Sequence, residues 1–355
     1  MYSRHNSPTS ERLEHALSVL LSPAPPAAAA DAPPHPLHSA VSYASGQSAF
    51  HGALVHFRPK TISIGACYHG CRAMSELFSK LTGMRILPLD CPAEELSPGD
   101  LIHLETPINP TGTAVCIEAL AQKAHSRGAF LLVDSTFAPP PLQDPFAHGT
   151  DIVLHSSSKY IGGHSDMLGG VLCVRTDYGG IPNNGAKIAE KLRHERLLIG
   201  GVMGSLELWL GLRSLRTLGL RISRASNNAT NLVEWLNSII TPTSPLAEVH
   251  HASLQAEKNP EDKEWLVKQM PNGFGPVFSI ILRNKRMARW FPSKLELFHH
   301  ATSLGGVESL IEWRAMTDSK VDERLLRVSV GCEDWRDLRA DLEKGLKGVE
   351  GLEEQ

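Results

Sequence analysis

The sequence has no long apolar run and no concentration of basic residues. The chain has 355 residues, and the apolar segment at residues 15–21 is far too short to cross a bilayer, which takes about 20 residues. Its 35 basic residues are spread among 38 acidic ones, whereas a protein that binds nucleic acid usually carries a basic stripe. We therefore expect a cytoplasmic protein without a membrane span or a nucleic-acid partner.

Cysteines are few and irregularly spaced. Six in a chain of this length are typical of reduced thiols and far below the density of a disulfide scaffold. Cys67-x-His69-x-Cys71 has no second pair of ligands at zinc spacing. The sequence therefore predicts neither structural disulfides nor a metal site.

Short apolar runs alternate with helix-like segments through the middle of the chain. The predicted strands are Thr61–Ala66, Arg85–Leu89, Asp100–Glu105, Ala129–Asp134, Asp151–His155 and Gly169–Arg175. Helical spacing of apolar residues marks Gly70–Leu81 and Val115–Arg127. This alternation predicts an α/β fold with a mainly parallel sheet covered on both faces, whose ligands gather at the carboxyl ends of the strands.

A second, smaller α/β region follows a long helical stretch around Gly204–Leu236. Its predicted elements are strands at Pro276–Leu282 and Leu325–Val330, then a helix from Asp334 to about Leu346. We divide the chain into an N-terminal segment (1–21), a Pro/Ala-rich loop (22–38), a large domain (39–222) and a small C-terminal domain (223–355). Residues 22–36 have too few large apolar side chains to pack into a core.

Two polar residues follow neighbouring strands in the most informative stretch, residues 131–170. One strand ends in Asp134 and the next in His155, followed by three serines and Lys159. A lysine after small hydroxyl residues suits an amine that forms a Schiff base, and the aspartate suits the partner of a pyridinium nitrogen. These residues are consistent with pyridoxal phosphate (PLP). The alternative is an aspartate that caps a turn and a solvated surface lysine.

The same stretch resembles the PLP signature of the Cys/Met-metabolism (trans-sulfuration) enzymes, the family of cystathionine γ-synthase and the cystathionine lyases. Further matches extend over nearly the whole chain, at Tyr2–Thr9, Ser42–Ala49, Glu105–Gly112, Ala301–Glu312 and Leu326–Glu333. The resemblance implies the aminotransferase-like architecture (fold type I), with a mainly parallel seven-stranded sheet in a PLP-binding large domain and a smaller C-terminal α/β domain.

The resemblance also implies roles for the residues that carry the chemistry. Lys159 would be the Schiff-base lysine and the general base, and Asp134 would keep the pyridine nitrogen protonated. Tyr68 matches the tyrosine that stacks on the cofactor ring. No metal is implied.

The phosphate of the cofactor needs hydrogen-bond donors. Gly46 and Gln47 open a predicted helix at Gln47–Phe57, so their amides and the helix dipole suit an anion. Ser156 and Ser158 add hydroxyl groups from the loop before Lys159.

Tyr2 and Arg4 match a Tyr-x-Arg pair that reaches the phosphate from a neighbouring subunit. The resemblance therefore implies a homodimer or homotetramer in which residues 1–21 contact the neighbour. The chain starts almost on this pair, so we expect the arm that usually precedes it to be missing, with a looser assembly or a truncated gene model.

Three residues are assigned to the substrate by resemblance. Arg327 would grip the α-carboxylate, a bidentate task that lysine performs poorly. Ser303 would border the same pocket, and Asn109 would help to orient the cofactor or the substrate.

Departures from the family pattern lie around the substrate. Thr302 stands where γ-synthases and γ-lyases often carry an acidic residue that contacts the distal amine of cystathionine. His69 and Cys71 replace small residues, Ser135 replaces an asparagine, and residues 312–315 (EWRA) replace a His-Pro run. These changes indicate a divergent subgroup with a retained cofactor site and an altered substrate pocket.

The sequence favours γ-replacement on an activated homoserine, as in a cystathionine γ-synthase, because residues 303–309 (SLGGVES) resemble that branch. Cleavage of a C–S bond, as in a cystathionine β- or γ-lyase, stays open. The rival from another class is a catalytically silent paralogue that serves as a binding or regulatory subunit. A third reading, an aminotransferase, shares the fold but not this set of motifs.

Overall fold

The structure is a computed structural model that describes residues 5–21, 38–177 and 184–352. Two β-sheets with helices around them account for the described residues. No helix among them is long and apolar enough to span a membrane.

The larger sheet is built from the first seven strands of the described chain. They are β1 (His38–Tyr43), β2 (Thr61–Ile64), β3 (Arg85–Leu87), β4 (Leu101–Glu105), β5 (Phe130–Asp134), β6 (Ile152–His155) and β7 (Gly170–Arg175). Their order is β1-β7-β6-β5-β4-β2-β3, and only β7 runs against its neighbours. The predicted mainly parallel, seven-stranded sheet is therefore confirmed.

Helices cover both faces of this sheet, which is why β2 and β4 to β7 are buried along almost their whole length, whereas β3 at the edge is not. They are α1 (Pro8–Leu20), α2 (Gly46–Phe57), α3 (His69–Thr82), α4 (Ile117–His125), α5 (Asn184–Leu198) and α6 (Ser205–Leu215). The next helix, α7 (Leu218–Ser238), packs instead against the smaller sheet. All five residues of β4 are buried, as expected for a strand packed on both sides. Strand β1, which the sequence did not predict, is buried without alternation from Ala40 to Tyr43.

The smaller sheet is mixed and lies in the C-terminal part. Its strands are β8 (Leu246–His250), β9 (Val277–Leu282), β10 (His299–His300), β11 (Leu310–Trp313) and β12 (Leu325–Ser329), in the order β10-β11-β12-β9-β8. The accompanying helices are α8 (Ala252–Lys258), α9 (Lys263–Gln269), α10 (Lys285–Trp290) and α11 (Trp335–Lys347). The predicted second α/β unit is confirmed, with three strands more than expected.

The long predicted helical stretch is two helices, because α6 and α7 are separated by a turn at Arg216 and Thr217. The predicted domain boundary at residues 222 and 223 falls inside α7 and stays a prediction. The predicted loop at 22–38 lies almost entirely outside the described residues.

A buried ion pair fastens α1 to the edge of the large sheet. Glu14 is only 6% exposed and accepts hydrogen bonds from the amide and hydroxyl of Ser42 on β1. Its carboxylate also pairs with Arg193 at 2.7 Å and with Arg196 at 2.8 Å, both on α5. The N-terminal helix is thus tied to strand and helix through one carboxylate.

Candidate active site

A cleft of about 620 Å³ lies where the carboxyl ends of the parallel strands face the smaller sheet. The large sheet contributes residues that follow β1, β2, β4, β5 and β6, and the small sheet contributes β11, β12 and the segment after β10. This is the place at which ligands bind in open α/β sheets. The predicted location of the site agrees with this geometry.

Two buried carboxylates lie side by side at the floor of the cleft. Asp134 ends β5 and Glu105 ends β4, and the two residues are direct partners in the parallel ladder. Glu105 accepts from the amides of Tyr68 at 2.6 Å and Asn109 at 2.8 Å. Burial raises the pKa of both carboxyl groups, and the charge of Asp134 raises the pKa of Glu105 further. The positive charge of Arg327 lowers the pKa of Glu105 by less than burial and Asp134 raise it, so no cation of the described chain neutralises the pair.

The surroundings of Asp134 fit a pyridinium nitrogen. The amide and hydroxyl of Thr136 both donate to Oδ1 of Asp134, at 3.0 and 2.5 Å. The other oxygen, Oδ2, has no partner within the described chain, and Asp134 lines the cleft. Potential ligand atoms of Cys71, His103 and Asp134 lie within 4.8 Å of one another. Burial lowers the pKa of His103 to about 4, so this ring is neutral and gives no cation. A protonated ring nitrogen would supply the charge that Asp134 lacks.

Lys159 lies in the turn after β6 and is half-buried at the edge of the cleft. Its backbone packs against Gly305, where a Cβ atom would come within 2.8 Å of the Cβ of Lys159. Burial, followed by the positive charge of Arg327, lowers the pKa of Lys159. A larger share of neutral amine is what a nucleophilic or basic lysine requires. The alternative of a solvated surface lysine is wrong, whereas Asp134 does cap a turn through Oδ1.

The start of α2 forms an anion cradle. Gly46 and Gln47 are its first two residues, and the preceding Ser45 caps the amide of Ser48 at 3.0 Å. The amides of the first two residues therefore have no partner inside the helix. A Cβ at position 46 would lie 3.0 Å from the Cβ of Ser156, so the glycine allows the serine loop to approach. These groups suit the phosphate of PLP.

The two predicted phosphate serines differ in their bonding. Ser158 already exchanges hydrogen bonds with Gly169, whose amide donates to its hydroxyl at 2.9 Å. Ser156 lines the cleft and donates its amide to the hydroxyl of Thr136 at 2.8 Å. The hydroxyl of Ser156 is thus the freer of the two.

Tyr68 precedes the first turn of α3 and is 40% exposed. Its ring lies beside His69, with 4.4 Å between the ring centroids, and its amide is held by Glu105. The side chain lines the same cleft as Asp134. This placement allows the ring to lie against a cofactor whose nitrogen points at Asp134.

Arg327 on β12 is 3% exposed and points into the cleft from the small sheet. Its guanidinium donates to Oδ1 of Asn109 at 3.2 Å and to the carbonyl oxygens of Thr302 and Ser303, at 2.5 and 3.1 Å. It also pairs with Glu312 at 2.7 Å. The three residues assigned to the substrate therefore form one contiguous group.

The predicted site residues within the described chain converge on this one cleft, and Tyr2 and Arg4 lie outside the described residues. The sequence analysis did not assign several residues that line it, namely Glu105, Thr136, Phe137, Leu168, Leu304, Glu312, Arg314 and Thr317. Glu105 had a usable signal, because it ends a strand as Asp134 does. Thr136 and Leu304 lie within two residues of assigned positions, whereas Glu312 reaches the cleft through the pairing of β11 with β12.

Comparisons with known proteins point to one family. The Cys/Met metabolism PLP-dependent enzyme model matches residues 1–347. The chain is 33% identical to cystathionine gamma-synthase of Escherichia coli K12, over 98% of this chain and 88% of that protein. It is 38% identical to cystathionine gamma-synthase of Mycobacterium tuberculosis H37Rv, where the match covers 75% of this chain and 66% of the relative, just under two thirds of its length.

The solved structures agree. The crystal structure of cystathionine gamma-lyase from Lactobacillus plantarum, complexed with L-serine, superposes with a TM-score of 0.83 at 30% identity, covering 98% of this chain and 88% of that one. The fold, the converging lysine, aspartate and arginine, and a match over residues 1–347 lead to one conclusion: the chain belongs to the Cys/Met metabolism PLP-dependent enzyme family.

Proposed function

We propose that this chain catalyses a PLP-dependent trans-sulfuration reaction, γ-replacement on an activated homoserine, like the cystathionine gamma-synthases it resembles. The observation that carries the proposal is the convergence of Lys159, Asp134 and Arg327 on one cleft of about 620 Å³. The cleft is large enough for PLP and an amino acid together, since typical ligand pockets measure about 300–1,000 Å³.

PLP, when bound, supplies an electron sink that stabilises negative charge on the α-carbon of an amino acid. Asp134 would keep the ring nitrogen of bound PLP protonated through its unpartnered oxygen. Thr136 keeps that carboxylate in place from the opposite oxygen. Gly46, Gln47 and Ser156 would hold the phosphate, and they follow different strands from the one that ends in Asp134.

Lys159 moves the protons. It removes the proton from the α-carbon and returns protons along the substrate, which its lowered pKa favours because more of the amine is neutral near pH 7. Arg327 binds the α-carboxylate and thereby places the α-carbon next to Lys159. Tyr68 would lie against the ring of a bound cofactor, and Asn109 orients Arg327 through its side-chain oxygen.

Cleavage of a C–S bond is the second candidate reaction. Relatives with 30% or more identity include a cystathionine beta-lyase and a cystathionine gamma-lyase. Thr302 weighs against cystathionine itself as the substrate, because it leaves this part of the cleft without the acidic side chain that the distal amine of cystathionine would contact. Nothing supports the alternative of a catalytically silent paralogue.

The test is a substrate panel on the purified, cofactor-loaded protein. Separate incubations contain O-acetylhomoserine with cysteine, O-succinylhomoserine with cysteine, cystathionine alone, and methionine alone. The products measured are cystathionine, 2-oxobutyrate and pyruvate. Formation of cystathionine supports γ-replacement, and release of a keto acid from cystathionine supports a lyase. Lys159→Ala is the control and should remove both the visible cofactor absorbance and turnover. An absence of all three products would overturn the proposal.

We further propose a homodimer or homotetramer in which Tyr2 and Arg4 of one subunit complete the phosphate site of the next. Large apolar side chains are exposed on adjoining helices, among them Leu206 at 62% and Trp209 at 55% on α6 and Leu220 at 76% on α7. Such exposure is typical of an interaction surface. Sedimentation equilibrium of wild type and Trp209→Glu tests the assembly, and a wild-type monomer at micromolar concentration would overturn it. We also propose a cytoplasmic location, which fractionation of the source cells would test.

A further inference from the structure

The carboxylate-binding arginine is already paired with a carboxylate of its own chain. Glu312 on β11 and Arg327 on β12 are direct partners across the antiparallel ladder, and their charged groups lie 2.7 Å apart. Their side chains are only 2% and 3% exposed. A substrate that enters the cleft therefore meets an arginine whose best partner is an internal glutamate.

The donors of Arg327 leave little room for a second carboxylate. Nη2 has two hydrogens, yet it faces three acceptors: the carbonyl oxygens of Thr302 and Ser303 and the carboxylate of Glu312. Nη1 donates to Asn109. A bidentate grip on a substrate carboxylate needs two parallel N–H groups. Glu312 must therefore give up its contact before Arg327 can bind a substrate in this way.

Glu312 has other partners that would hold it after such an exchange. Nη1 of Arg314 lies 3.2 Å from each of its two oxygens, and the hydroxyl of Thr317 donates to Oε1 at 2.7 Å. Nε of the buried Arg314 has no hydrogen-bond partner among the described residues. Loss of Arg327 would thus leave Glu312 with three of its four bonds and a vacant donor nearby.

We propose that Glu312 is an internal competitor for the substrate-carboxylate site on Arg327, and that Arg314 and Thr317 retain it when a substrate enters. The inference rests on the proposed role of Arg327. Glu312 is then a positioning residue: it keeps the arginine in place while substrate is absent and lowers the affinity for any ligand whose carboxylate has to displace it from Arg327. Arg314 keeps the charge of the displaced glutamate balanced, which one arginine facing two carboxylates could not do.

The test compares two ligands that differ only in the carboxylate, L-alanine and L-alaninol, on the cofactor-loaded protein. Affinity is measured by calorimetry and by the change in visible absorbance, without turnover. Glu312→Gln should bind L-alanine about tenfold more tightly than wild type does, because a neutral amide competes less well for a guanidinium. L-Alaninol should bind both proteins equally. Thr317→Val should weaken L-alanine binding by a few fold and leave L-alaninol unchanged, since Glu312 then depends more on Arg327.

Asp318→Asn is the matched control, because Asp318 lies 3.7 Å from Arg314 but does not contact Arg327. It should leave the ratio of the two affinities unchanged. If Glu312→Gln weakens L-alanine, or changes both ligands alike, Glu312 is structural and the inference is wrong. Thr317→Val gives an independent answer should Glu312→Gln not fold. Failure of wild type to bind either ligand would instead overturn the proposed function as well.

Discussion

Thr136 donates both its amide and its hydroxyl to the same oxygen of Asp134, Oδ1, at 3.0 and 2.5 Å. The other oxygen is thereby left to the cleft. The same hydroxyl accepts the amide of Ser156 at 2.8 Å, so one threonine joins the end of β5 to the loop before Lys159. The side chain of Thr136 therefore fixes the position of Asp134, the proposed partner of the ring nitrogen, relative to Ser156, which is proposed to contact the phosphate.

Thr136→Val should therefore weaken cofactor binding. The substitution leaves Asp134 with one donor fewer and the amide of Ser156 without its acceptor. Groups that orient ligand-binding residues typically change affinity by about 10- to 100-fold when removed. We expect a loss of that order in PLP affinity, measured by equilibrium dialysis.

Thr150→Val provides the matched control. Thr150 is fully buried, and its hydroxyl has no hydrogen-bond partner among the described residues. Replacing it should leave PLP affinity unchanged and the free energy of unfolding equal or slightly higher, since no bond is lost. Equal effects of the two substitutions on PLP affinity would show that Thr136 does not act through Asp134.

Gly305→Ala should disturb Lys159. Gly305 has a φ of +84°, and an added Cβ would lie 2.8 Å from the Cβ and 2.9 Å from the Cα of Lys159. We expect a marked loss of the visible cofactor absorbance at a fixed PLP concentration, because the lysine backbone must shift.

Gly83→Ala is the control that distinguishes the effect of this contact from the effect of backbone strain. Gly83 has a similar φ of +78°, and an added Cβ would meet nothing within 4 Å. Gly83→Ala should cost about 1 kcal/mol of stability through the left-handed conformation alone, measured by urea unfolding, and should keep full cofactor absorbance. If Gly305→Ala also keeps it, the packing against Lys159 does not matter for the site.

Glu14→Gln should lower the free energy of unfolding by about 3–5 kcal/mol at pH 7.5, because it leaves the buried Arg196 without its compensating charge. Burial alone would raise the pKa of Glu14, but Arg193 and Arg196 outweigh burial and hold it below the ordinary value of 4.5. The stabilisation is therefore present above pH 4.5 and is lost as the pH falls through the lowered pKa. Wild type and Glu14→Gln should converge in acid.

Urea unfolding at a series of pH values measures this difference. Glu190→Gln, on the exposed side of α5, is the control and should change stability by less than about 0.5 kcal/mol. A Glu14→Gln protein as stable as wild type at pH 7.5 would contradict the role assigned to the ion pair.

Two buried histidines should make the fold acid-sensitive. Burial lowers the pKa of His103 and of His155 to about 4, and within the described chain their ring nitrogens have no hydrogen-bond partner. The unfolded chain binds these protons near pH 6.5, whereas the native state does not. Stability is therefore lost as the pH falls from about 6.5 towards 4, by at most about 1.4 kcal/mol per pH unit for each histidine.

His103→Leu should reduce by about one the difference in bound protons between the unfolded and native states, and so make the loss of stability in acid less steep. Urea unfolding at pH 7.5, 6.0 and 5.0 measures this slope. His299→Leu on the exposed strand β10 serves as the control and should leave the slope unchanged. The raised pKa of Asp134 acts in the opposite sense, so the variants are compared with wild type at each pH. An unaltered slope in His103→Leu would contradict the assignment.

The strand-end rule found Asp134 and Lys159 from sequence because parallel strands place their carboxyl ends at one edge. The same rule applied to Glu105, which also ends a strand, but Glu105 was not predicted to be a site residue although it lies in a recognised motif. Strand β1 (HSAVSY) was missed because a histidine and two serines interrupt it. It therefore has no continuous apolar run, which is the pattern that marked the other buried strands.

The pairing of Glu312 with Arg327 could not be predicted in this way. It depends on the register between β11 and β12, which are separated by a turn and a loop. Sequence spacing does not determine which residues face each other across such a connection. Likewise, the departure at residues 312–315 was visible, but its consequence needed the positions of Arg314 and Thr317.

The cleft joins groups from two sheets that have separate cores. The groups assigned to the cofactor stand on the larger sheet, whereas Arg327, Glu312 and Arg314 stand on or beside the smaller one. Substitutions in β11 and β12 can therefore change which amino acid is accepted without touching the residues that retain the cofactor. An enzyme of this architecture can therefore change its substrate during evolution while its cofactor chemistry stays the same.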